Sequence, residues 1–139
     1  MVDSDKCKIL SKVLIELGFP SVDMSDFDKR LSYQKIIYIL QNNGPSLGYG
    51  YNWYIRGPYS PKLTEDLFSI FEDEIIFNNS KSLKFKANSE ILKKIHSVRD
   101  RIGGRIKDPI FLEILASMLY IPLSALNLSA VVFFILPTQ

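Results

Sequence analysis

The segment from Tyr49 to Leu67 constrains the fold more than any other part of the chain. It gathers Tyr49, Tyr51, Trp53, Tyr54 and Tyr59 around Arg56 and a Gly57-Pro58 pair, then turns abruptly into a helical pattern. Aromatic and β-preferring residues flanked by glycines predict a short strand over Tyr49–Arg56, with Gly57-Pro58 as its turn. Ser60 then reads as an N-cap and Pro61 as the first helical residue, with Leu63, Leu67, Ile70 and Phe71 as the apolar face. A strand set among helical patterns places the chain in a mainly α class with a small β element.

The flanking sequence supplies those helices. Ile9, Val13 and Leu17 recur at helical spacing beside Leu10 and Leu14, and Gly18 and Pro20 close this first helix. Ser25 or Asp26 caps a second helix that runs to about Asn42 before Gly44-Pro45. Its second half, KIIYILQ, is apolar almost all round, which marks a central helix covered on several sides. SLKFKA, Ser82–Ala87, alternates Leu83, Phe85 and Ala87 with Lys84 and Lys86, the pattern of a half-exposed strand. Asn88 or Ser89 caps a fourth helix along Ile91, Ile95, Val98 and Ile102, and Asp108-Pro109 opens a fifth. The order helix–helix–strand–helix–strand suits a winged-helix-like arrangement of about five helices and two or three short strands.

The 139 residues suit one domain over 1–121, followed by an uncharged apolar tail over 122–139. After Glu113 no charged side chain appears in the remaining 26 residues. The strongest run there, SAVVFFIL, is shorter than the about 20 apolar residues a bilayer core requires. The tail is therefore expected to pack on the domain or at a subunit interface, which leaves room for a homodimer; a membrane anchor is the less favoured reading, and an ending foreign to the fold a third. The N-terminus is charged and without an apolar core segment, so no signal peptide is expected.

Composition excludes several chemistries. One cysteine, Cys7, makes no internal disulfide and no structural zinc site, and points to a reducing, cytoplasmic setting. One histidine, His96, removes HExxH sites and any catalytic triad not built on it. Glu72, Asp73 and Glu74 diverge if helical and make a poor metal or acid–base pair. No glycine motif matches a phosphate loop. The expectation is a non-enzymatic chain with no cofactor.

Two binding surfaces remain. Alternation along the aromatic strand assigns Tyr49, Tyr51, Trp53 and Ile55 to one face, with Trp53 and Tyr51 expected in the core. Tyr54, Arg56 and Tyr59 are the candidate partner-binding residues, since exposed tyrosines beside an arginine are typical binding anchors. The second surface is basic. Lys81 to Lys107 holds nine Lys/Arg against two acids, while Ser60 to Ile76 holds five acids against one lysine. Lys84, Lys86, Lys94, Arg101 and Arg105 are the alternative, DNA-binding set, arranged like a wing and a helix that follow phosphates.

The runs LSYQKIIYILQ, GYNWYIRGPYSPKLTEDL and FLEILASMLY, covering Leu31 to Tyr120, resemble the YwgA-like family of small prokaryotic proteins and, more remotely, the Panacea antitoxin domain. The shared features are a leucine/glutamine/lysine-centred helix, a Trp-Tyr strand, a Gly-Pro-Tyr-Ser turn and a late leucine-rich helix. The resemblance implies a mostly helical, winged-helix-like fold, no catalysis, and action by binding a partner protein. Its matching positions are Trp53, Tyr54, Arg56, Gly57, Pro58, Tyr59 and Ser60. The uncharged ending after Tyr120 departs from the charged ending expected of the family.

Overall fold

A computed structural model describes residues 4–86 and 89–121. The tail 122–139, and every expectation attached to it, lies outside the described residues. The described chain is mainly helical with one two-stranded antiparallel sheet. In order it forms α1 (Ser4–Leu17), α2 (Phe27–Asn42), β1 (Asn52–Tyr54), β2 (Gly57–Tyr59), α3 (Pro61–Glu72), α4 (Glu74–Ser80), α5 (Glu90–Ile102), a 3-10 segment (Gly103–Lys107) and α6 (Pro109–Tyr120).

Local capping chemistry sets most boundaries. The Asp26 carboxylate accepts from the amides of Asp28 and Lys29 at the start of α2, and Ser60, Ser89 and Asp108 cap α3, α5 and α6 in the same way. Gly18, at φ 107°, carries the chain out of α1. Helix α2 is the hub: Leu31 through Ile37 are all buried, as are Ile39 and Leu40. It packs most extensively on α6, while α1 packs on α4 and α5. The core joins Leu10, Leu14 and Leu17 of α1 to Ile36 and Leu40 of α2, Leu67 of α3, Ile95 of α5 and Leu112 of α6.

Several expectations are corrected. The chain adds a sixth helix, α4, because Asp73 ends α3 and its carboxylate accepts from the amide of Ile75, restarting the helix so that Phe77 is buried. Three residues assigned to apolar faces, Ile9, Phe71 and Ile91, are exposed. Residues 82–86 form no strand. The amides of Lys81, Ser82 and Leu83 bond back to Asn78, Asn79 and Ser80, closing α4 with a turn, and among the described residues no strand pairs with the alternating ones. Phe85 still packs against the core while Lys84 and Lys86 stay exposed.

The aromatic segment is a hairpin, not a single strand. Its turn is Ile55-Arg56, two residues earlier than the Gly57-Pro58 pair, and the register pairs Asn52 with Tyr59, Trp53 with Pro58 and Tyr54 with Gly57. Gly57, at φ 92°, supplies the positive dihedral that follows such a turn. Pro58, which has no N–H, is tolerated because it lies on the edge of a two-stranded sheet.

Candidate functional site

Two polar side chains in the buried stretch of α2 fix the hairpin. Gln34 spans the backbone of Ser60: its Oε1 accepts from the Ser60 amide at 2.9 Å, and its Nε2 donates to the Ser60 carbonyl at 3.0 Å and to Thr64 Oγ1 at 2.7 Å. Ser60 is fully buried, so this side chain satisfies groups that water cannot reach. One residue on, the Lys35 ammonium donates to the Pro58 carbonyl. Lys35 is only 1% exposed, and burial pulls its pKa down to about 8; nearby Glu113 raises it and Arg56 lowers it by lesser amounts. Tyr51 completes the attachment by donating to the Gln34 carbonyl at 2.9 Å.

The hairpin is thus tied down at its base, while much of its outer surface faces solvent. Ile55 is 99% exposed and Trp53 51% exposed, the latter against the expectation of a core tryptophan. All three residues of β1 are exposed, so alternation along this strand separates no buried face from a solvent face, and the Trp53 ring rests against Tyr120 of α6 with centroids 5.4 Å apart. Tyr51 is half-buried and meets Tyr38 edge-on at 4.9 Å, and Tyr49 is buried, donating to Asp66 Oδ2 at 2.7 Å. Burial and the Asp66 bond push the Tyr49 phenol well above its usual pKa. The other Asp66 oxygen has no hydrogen bond of good geometry and is met by the Lys62 ammonium at 3.4 Å.

The three candidate partner-binding residues come together. The Tyr54 and Tyr59 rings meet edge-to-face at 5.0 Å, and the Tyr59 hydroxyl accepts from Thr64 Oγ1 at 2.7 Å. Arg56 Nε pairs with Glu113 of α6, and its guanidinium lies 5.6 Å from the centre of the Phe27 ring. All three residues border a groove of about 380 Å³ between α2, the hairpin and α3. Met24, Phe27, Leu31 and Phe68 give the groove its apolar walls, and Arg30 and Lys35 add charge from α2. Phe27, Arg30, Gln34 and Lys35 were missed as site residues by sequence reasoning. The one available signal was the polar Gln34-Lys35 pair interrupting an apolar helix.

The basic set is more dispersed in kind. Lys84 and Lys86 sit on the irregular segment after α4, so no strand presents them as a wing. Lys94 and Arg101 lie on α5, Lys94 exposed with its ammonium close against Gly44, and Arg101 half-buried. Arg105, in the 3-10 segment, stacks over the Phe111 ring at 4.1 Å. His96 meets Glu16 at 2.9 Å, tying α5 to α1 across a sequence distance that hides the pair from local reading, and this bond lowers the Glu16 pKa. Cys7 is buried with its thiol 3.9 Å from the Asp66 carbonyl, well inside the core and away from any solvent-facing chemistry. Among the described residues no three His, Cys, Asp or Glu side chains gather as a metal site, and no helix is long and apolar enough to cross a membrane.

No protein-family description, curated protein or solved structure matches the chain.

Proposed function

We propose that this chain is a non-enzymatic protein-interaction module, antitoxin- or adaptor-like, working in the cytoplasm, that holds a partner protein at the hairpin tip and the groove beside it. The observation carrying this reading is the exposure of apolar surface on a rigid support. Ile55, Tyr54 and Phe27 are exposed around one groove and Trp53 is half-exposed on the same hairpin, while Gln34 and Lys35 anchor the hairpin from below. Clustered exposed apolar surface of this kind marks interaction sites, and tyrosine, tryptophan and arginine dominate binding energies when they cluster. A hairpin pre-ordered by buried hydrogen bonds also loses little conformational entropy on binding.

The test is capture of a partner from the cytoplasmic proteome of the native host, using the wild-type chain and a variant with Tyr54, Arg56 and Tyr59 all changed to alanine. A photo-crosslinker at Ile55 identifies what touches the tip. The expected result is one protein crosslinked at Ile55 and lost from the triple variant, with circular dichroism verifying that the variant is folded. Capture unchanged by the three substitutions rejects the site. Binding to duplex DNA is measured alongside. Steep salt-dependent affinity that disappears when Lys84, Lys86, Lys94, Arg101 and Arg105 are neutralised would transfer the function to the basic surface.

A further inference from the structure

The groove carries a charge pattern that selects its occupant. Its lining holds three cations, Arg30, Lys35 and Arg56, and no carboxylate. The guanidinium groups of Arg30 and Arg56 both approach the Phe27 ring, at 5.7 Å and 5.6 Å from its centre. Glu113 of α6, outside the lining, pairs with Arg56, whereas Arg30 has no carboxylate partner among the described residues. Two like charges therefore approach one aromatic wall, a third cation, Lys35, lies beside them, and among the described residues Glu113 is the one carboxylate that pairs with any of the three. An incoming anion relieves this imbalance, and an incoming cation worsens it. The walls between the charges are Met24, Leu31 and Phe68, which accept an apolar side chain but give a hydrated ion alone nothing to displace.

We propose that the groove binds an acidic segment of the partner protein, with an apolar side chain entering between Phe27, Leu31 and Phe68 and a neighbouring Asp or Glu carboxylate pairing with Arg30 at the rim. This rests on the protein-interaction reading above and specifies the chemistry of its ligand. A guanidinium is suited to the task because its planar fork takes a carboxylate through two parallel hydrogen bonds. The apolar anchor supplies affinity, and the carboxylate supplies register and speed of encounter.

The experiment is a selection of displayed random short peptides on the full chain, run in parallel on the Tyr54/Arg56/Tyr59 triple-alanine variant. Peptides enriched only on the wild type are labelled and measured by fluorescence anisotropy against wild type and Arg30→Gln, each also as a version with its acids replaced by amides. The expected peptides carry Asp or Glu next to Leu, Ile, Phe or Trp. Arg30→Gln should weaken them about fivefold, an amount typical of a partly exposed charge pair. The acid-to-amide change should cause a similar loss, and the two changes together should cost little more than either alone. Neutral or basic peptides enriched on the wild type, or acidic ones that bind Arg30→Gln equally well, would overturn the acidic-segment inference and leave protein binding at the groove intact. No enrichment on the wild type over the triple variant would overturn both.

Discussion

The buried ammonium of Lys35 makes stability depend on pH in a direction opposite to that of most surface lysines. An unfolded lysine titrates near 10.5, and in the fold this group titrates at about 8. Between those values the unfolded chain binds the extra proton and the folded chain does not, so stability rises with pH through this window. Below both values the group is charged in both states and the folded state bears the full penalty, roughly 3 kcal/mol for a shift of this size. From about pH 7 to about pH 9.5 the gain from this group alone is roughly 2 kcal/mol. Tyrosines set the upper limit of the useful range. Burial raises the phenols of Tyr33, Tyr38, Tyr49 and Tyr51 above the ordinary value of 10, so they favour the folded state below that value and lose this contribution as pH climbs past it. Urea unfolding followed by circular dichroism at a series of pH values below 10 isolates the lysine. The wild-type midpoint should climb across the range, while Lys35→Met, which keeps the stem and removes the charge, should stay level. A level wild-type profile, or a climb that persists in Lys35→Met, refutes the assignment of a desolvated cation beneath the hairpin.

Three further perturbations separate the support of the hairpin from its use. Gln34→Leu leaves the buried Ser60 amide without a partner, while the Ser60 carbonyl keeps its bond from the Thr64 amide, and should cost about 2 kcal/mol in denaturant unfolding, the scale of one orphaned backbone group. Gly57→Ala forces a side chain into a positive φ and brings its Cβ within 2.6 Å of Ser117 Oγ; because that hydroxyl can rotate away, the dihedral dominates. A loss of roughly 1–2 kcal/mol is expected, little of it recovered by adding Ser117→Ala, and full recovery in the double variant would show that crowding dominates. Arg56→Ala removes a partly exposed ion pair with Glu113 and should change stability by less than about 1 kcal/mol while weakening partner capture; a large drop in melting temperature would assign Arg56 to the fold instead.

Most of the helical frame was legible because helix ends are written locally. Asp26, Ser60-Pro61, Ser89 and Asp108-Pro109 each act on amides two or three residues away, so the sequence displays both partners together. Strand pairing is not local in this sense. SLKFKA alternates as a strand should, yet a strand exists only if another chain segment offers its edge, and here the turn after α4 uses the backbone first. Exposure of Ile9, Phe71 and Ile91 has a related cause, since periodicity defines a stripe but not how far along the helix the neighbouring elements cover it. The candidate triad Tyr54, Arg56 and Tyr59 was found by composition, and the structure places the three around one groove. The opposite wall, contributed by Phe27 and Arg30 at the start of α2, was not visible, because nothing in their spacing links them to residues a full helix and loop away.

Gln34 and Lys35 join the legible and hidden parts of this site. Read locally they are flaws: an amide and an ammonium within a helix buried on nearly every side, where desolvation penalises both. Their positions become intelligible only when the hairpin is placed over them. The chain then accepts a desolvated ammonium and an engaged amide in its core, and in exchange a segment too short to be stable alone is held in a single conformation. Had the purpose of that segment been to complete the core, Trp53 and Ile55 would be its natural contribution, and both point to solvent instead. A fold that spends buried polar contacts on a hairpin while leaving the hairpin's largest apolar side chains outside has arranged its local inconsistencies around one surface, which is where a binding site is expected to break the rules that the remainder of the chain obeys.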